Sequence, residues 1–190
     1  NDIDGGPRVR PDIGADEFSA TQAYYSVGTA AGALYSANAS ATSGVLTLAI
    51  AAASNVGVGD EIREGSNRYY ITGRTSATVF SIQNSAANGG TPGATNITFA
   101  STAITIFRAF NLLSTAEANS ADANHLNTAN LVAGNFQLNW PCYNDAPMDN
   151  RVDISGYTTG PGNFVQVYTP VTPSQVGASQ RHTGKARTGF

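Results

Sequence analysis

Asp145, Asp149 and Asp153 stand close together in the turn and strand before Tyr157, and grouped carboxylates are what polysaccharide cleavage requires. A glycoside hydrolase needs two of them held across the scissile bond. A lyase needs a basic residue beside an acid or calcium cluster. The acids here are few and lie mostly among turn-forming residues, so a shaped turn is expected and catalysis is not. Asp2, Asp4 and Asp12 are oxygen ligands of the type calcium takes, but a full loop needs a further ligand such as a bidentate acid. They are expected to hydrogen-bond the local backbone, and neither metal nor cofactor is expected. His125 and His182 lie far apart and lack ligand spacing. Cys142, the only cysteine, excludes an internal disulfide. Flanked by Trp140, Pro141 and Tyr143, it reads as a small core residue rather than a nucleophile. Tyr69, Tyr157 and Tyr168 could stack on sugars, although tyrosine in strands is ordinarily packing. Asn38-Ala-Ser40 and Asn96-Ile-Thr98 match the N-glycosylation acceptor pattern.

The elements that carry these residues are poor in charge. Charged residues make up only 12% of the 190, against ~25% in ordinary soluble domains. No Asp, Glu, Lys or Arg occurs between Phe18 and Asp60, or between Arg74 and Arg108. Strands without charged guards are prone to aggregate, unless an assembly buries them or glycans solubilise them. A net charge of −3 without a basic stripe argues against nucleic acid. The most apolar run, Val45 to Ala53, is shorter than the ~18 residues a membrane span needs. The chain opens on Asn rather than Met, which suggests a processed product or a piece of a longer polypeptide.

Gly and Pro punctuate short β-branched runs, predicting strands near 23–27, 44–51, 61–63, 68–73, 78–83, 95–99 and 103–108. Gly65-Ser66-Asn67 reads as the turn of a hairpin. Thr75 to Ile82 alternates with period two, setting Val79 apart from Phe80 and Ile82. Ala86 to Gly93 reads as a loop. Ser114-Thr-Ala-Glu117 has the pattern of a capping box and predicts one short helix, eroded by the asparagines that follow. Beyond it, 136–143, 151–157 and 163–168 are predicted strands whose spacing suits stacked rungs of a parallel coil. An antiparallel sheet is the alternative for the same strands.

The first eighteen residues contain Asp2-Ile-Asp-Gly-Gly-Pro-Arg8 and Asp12-Ile-Gly-Ala-Asp-Glu-Phe18, and these resemble the terminator of right-handed parallel β-helices on bacterial surface proteins. The stretch from Phe136 onward resembles the leader and first coil of such a helix. Asn55-Val-Gly-Val-Gly-Asp60, Tyr70 to Ser76, Leu113 to Glu117, Phe164 to Pro170 and Val176 to Gly184 are similar to a region found ahead of β-helices in bacterial and phage-like surface proteins. The resemblance implies architecture and is nearly silent on activity. It implies further coils after Phe190, without which the first coils present an open edge.

Together these features predict an all-β chain: a β-sandwich or small barrel, β-helix-like coils, an extended N-terminal arm and one short helix. The expected organisation is an arm over 1–22, the sandwich or barrel over 23–112, the helix and a polar loop over 113–135, and coils with a basic tail over 136–190. Residues 1–18 carry five acids against two arginines, a net −3, and the tail carries Arg181, Lys185 and Arg187. Opposite signs at the two ends favour head-to-tail contact. The expected function is that of a structural subunit of an extracellular filament, whose arm adds as a strand to a neighbouring copy. Pro7, Val9, Ile13, Gly14 and Phe18 would meet the basic tail of the next copy at that interface. A carbohydrate-binding module of an adhesin or phage tail protein, taking surface glycans as partner, is the alternative. A polysaccharide lyase fragment ranks below both.

Overall fold

The computed structural model describes residues 20–147, 151–182 and 184. These form nine strands: β1 (Thr21–Tyr24), β2 (Tyr35–Thr42), β3 (Val45–Leu48), β4 (Glu61–Glu64), β5 (Asn67–Arg74), β6 (Val79–Asn84), β7 (Phe99–Phe107), β8 (Phe136–Pro141) and β9 (Val165–Tyr168). Two short helices, α1 (Leu113–Asn119) and α2 (Leu131–Gly134), and a 3-10 turn at Ala86–Asn88 complete the described elements. The chain is all-β, and of the two architectures expected it has the small barrel.

Six antiparallel strands close that barrel in the order β2-β3-β6-β5-β4-β7. Alternation builds its core: Leu46 and Leu48 from β3, Phe80 and Ile82 from β6, and Ile104 and Ile106 from β7 point inward and are buried. Val79, as its register predicts, lies apart from Phe80 and Ile82 and is only half-buried. Register shifts in β2 at Ala39/Ala41 and in β5 at Ile71/Gly73 supply the local bends that closure needs. The β4–β5 hairpin turns on Gly65 and Ser66, with Gly65 at φ 57°, while Asn67 already pairs with Glu64.

The other sheet is parallel, in the order β1-β8-β9. Ala23 lies on Leu138, which lies on Val165, and Trp140 lies on Val167. Isolated parallel bridges extend the stacking, from Val27 to Phe110 and Cys142 and from Asn130 to Thr158. The C-terminal strands thus stack in parallel, as rungs would, rather than antiparallel. Ala23, Tyr25, Leu131, Phe136, Leu138, Trp140 and Cys142 form a second core. It is joined to the barrel through Tyr70, whose neighbours Tyr69 and Ile71 point into the barrel. Tyr25 meets Tyr70 edge-on at 4.6 Å. Cys142 is buried, and burial pushes its thiol up to about 12, as befits a packing residue.

Several local expectations are corrected. The strand Tyr35–Thr42 was not expected, because Ala, Ser and Asn are weak strand formers. Its alternation of Tyr35, Ala39 and Ala41 against Ser36 and Asn38 is nevertheless period two. The strand expected at 95–99 begins only at Phe99 and runs on to Phe107. Residues 151–157 form no strand. The capping box does not form: the N-cap is Leu112, no side chain caps it, and Ser114 is already helical. Two short helices stand where one was expected, the second capped by Asn130 accepting from Ala133 N at 2.9 Å. A 3-10 turn interrupts the expected loop at 86–93. Thr21 and Gln22, counted above with the arm, belong to β1.

Candidate functional site

The strand edges of the described residues are not equivalent. The barrel has none, because it closes. In the stack, β1 presents an outer edge, and the barrel satisfies it. With its amide oriented to meet both partners, Gln83 donates from its side-chain nitrogen to Gln22 O at 3.0 Å and accepts from Tyr24 N at 3.1 Å. One side chain thus mimics a peptide of a neighbouring strand. Further along, Ser26 N donates to Gly59 O at 2.8 Å, and Phe110 N donates to Ser26 O at 2.9 Å.

The outer edge of β9 has no such cover. Leu138 N donates to Phe164 O at 3.0 Å and Cys142 N to Tyr168 O at 2.7 Å. Backbone alternation in a parallel ladder then turns the N–H and C=O groups of Val165 and Val167 away from β8. Among the described residues none hydrogen-bonds to them there. The side chains agree. Trp140 is 0% exposed, whereas Val167, its partner on the same inward face, is 42% exposed. Phe164 and Val132 are also exposed, and Val132, Pro161, Gly162 and Asn163 line an apolar cavity of about 290 Å3 at the start of β9.

On the opposite face an amide ladder crosses the three strands. Gln22 donates to Gln137 at 3.1 Å, and Gln137 donates to Gln166 at 3.0 Å. Asn139 braces it by donating to Gln22 at 3.0 Å. Gln166 ends the ladder on β9, and among the described residues its own amide nitrogen has no acceptor. Sequence reasoning missed these amides. Their signal was polar Gln and Asn alternating with large apolar residues in Phe136–Trp140 and around Gln166.

Behind the edge, Arg108 clamps the stack to the barrel. Its guanidinium reaches Asp60 at 2.7 Å and takes both oxygens of Asp145 at 2.8 Å. It also lies 3.6 Å over the ring of Tyr143. Burial works against its charge, but Asp60 and Asp145 more than offset it and hold its pKa above the ordinary value. Burial raises Asp60 despite its pairing. For Asp145 burial also acts upward, yet the hydrogen bonds from Arg108 win and hold it below the usual carboxylate range. A Cβ on Gly28 would run into this Asp145 carboxylate.

Asp145 is locked to Arg108, Asp153 lies on the surface with Arg151 4.0 Å away, and Asp149 lies outside the described residues. His125 is buried against Tyr25 and Phe110, 2.7 Å from Asp122. Among the described residues no three His, Cys, Asp or Glu side chains gather as a metal site. No helix there is long and apolar enough to cross a membrane. Asn38 and Asn96 are exposed, Asn38 on the outside of the barrel and Asn96 in the loop before β7. Arg181 is exposed. Asp2, Asp4, Pro7, Val9, Asp12, Ile13, Gly14, Phe18, Lys185 and Arg187 lie outside the described residues. No known family model, curated protein or solved structure matches the chain.

Proposed function

We propose that this protein is a structural subunit of an extracellular filament, built by adding the N-terminal segment of one copy as a strand to the stack of the next. The observation that carries this is the β9 edge, where among the described residues the outward backbone groups of Val165 and Val167 have no partner and Val167, an inward residue, is left exposed. An open edge of this kind is a template for another strand.

Polarity supports the same conclusion. The chain enters the stack at β1, on the side away from β9, and the β1 edge is sealed by Gln83 and Gly59. A segment leading into β1 of one copy and an acceptor at β9 of another make a contact between different surfaces. Such contacts propagate instead of closing on themselves. The resemblance of residues 1–18 to a β-helix terminator fits a segment that covers a last rung. The exposed sequons Asn38 and Asn96, both in charge-free stretches, suit a glycosylated exterior.

Deleting residues 1–18 tests this directly. The truncated chain is expected to stay folded by circular dichroism and to sediment as a monomer, with no filaments by negative-stain microscopy. Filaments of normal length from the truncated chain would exclude the arm as the connector.

A further inference from the structure

Resting on strand addition as proposed above, we infer the register: residues 12–16 of a second copy lie parallel on β9, with Ile13 on Val165, Gly14 beside Gln166 and Ala15 on Val167. Three features of the acceptor select it.

The first is the inward face. Val165 and Val167 belong to the column of Leu138 and Trp140, so the incoming residues two apart must be apolar. A slip of one residue would set Asp12 or Asp16 on that column, placing a carboxylate against valine and tryptophan. The second is the backbone. Val165 and Val167 need carbonyls from positions 12 and 14 and N–H donors from positions 14 and 16, and Asp12, Gly14 and Asp16 supply them all. A shift of two residues would set Glu17 on Val167 in one direction, again an acid on the inward column, and in the other would set Pro11 on Val165 and put Asp12 rather than Gly14 beside Gln166.

The third is the polar face. The amide of Gln166 ends the ladder that runs from Gln22 through Gln137, and its exposed nitrogen has no acceptor among the described residues. Gly14 opposite it adds no side chain, while Asp12 and Asp16 on either side offer carboxylate oxygens to that donor. The acceptor thus asks for apolar, any, apolar on one face and acid, small, acid on the other. Asp12-Ile-Gly-Ala-Asp16 meets it.

Cysteine pairing between two separately made full-length chains reads the register. One chain carries Gln166→Cys, and the other carries a single change chosen from Asp12→Cys, Gly14→Cys and Asp16→Cys. The native Cys142 is buried, with its thiol pushed up to about 12, so it stays silent. Under mild oxidation the Gly14→Cys chain is expected to give a covalent dimer in several-fold greater yield than the other two. A maximum at Asp12→Cys or Asp16→Cys would overturn the register while leaving strand addition standing. Polymers that form with no cross-link at any of the three would overturn both. A chain carrying Gln166→Cys and Gly14→Cys together that cross-links only internally would show the arm closing its own stack, and would also overturn both.

Discussion

The barrel and the parallel stack are both made of short strands with few charges, yet they end differently. In the barrel the ladder returns from β7 to β2, so its charge-free strands present no edge. In the stack, β1 is sealed by side-chain and loop groups of the barrel, and among the described residues β9 is left open. Absence of charged guards is therefore harmless in the barrel, which has no edge, and leaves the outer edge of β9 unguarded. The lesson is that edge exposure decides what a strand does, since the residue types are similar.

Equivalent charges placed in the two regions should give the widest contrast. Ile82→Asp puts an unpaired carboxylate into the closed barrel, where Ile82 is 0% exposed. It should cost more than about 4 kcal/mol and leave little folded protein in a denaturant titration. Val167→Asp, on the open rung, should change monomer stability by less than about 0.5 kcal/mol yet abolish polymers in sedimentation. Loss of folding by Val167→Asp comparable to that of Ile82→Asp would mean the rung is already covered within one copy.

Next in size is the clamp between the regions. Arg108→Met leaves Asp60 and Asp145 without their partner and should cost roughly 3–5 kcal/mol by denaturant unfolding. An unfolding curve that splits into two transitions would sharpen the comparison further, by showing that barrel and stack fold separately once unclamped. A shift below about 1 kcal/mol would mean that the carboxylates find other donors.

The smallest effect expected is on pH. Asp145 has its pKa depressed in the fold by Arg108, so its contribution is present above the ordinary carboxylate value and is lost as the pH falls through the depressed one. Melting temperature should fall on acidification below about pH 4. Asp145→Asn should flatten that part of the profile. Asp60, raised by burial, acts with the opposite sign over a higher range, so the two must be separated by single substitutions. An unchanged acid limb in Asp145→Asn would assign the dependence to other carboxylates.

Much was decided by the sequence alone, because it depends on local chemistry. The all-β class follows from short β-branched runs between Gly and Pro. The Gly65-Ser66 turn and the burial of Phe80 and Ile82 away from Val79 follow from turn chemistry and period two. Cys142 as a core residue follows from its aromatic neighbours. Tertiary structure alone decided the rest. The register of β9 on β8, with Val165 on Leu138 and Val167 on Trp140, is one part of it. Which carboxylate meets Arg108, and that Gln83 stands in for a strand along β1, depend on residues far apart in the chain. So does the openness of β9, since no local pattern records whether a strand has a neighbour on both sides. Edges belong to the order of strands in space, and that order is set when the barrel closes and the stack is laid against it.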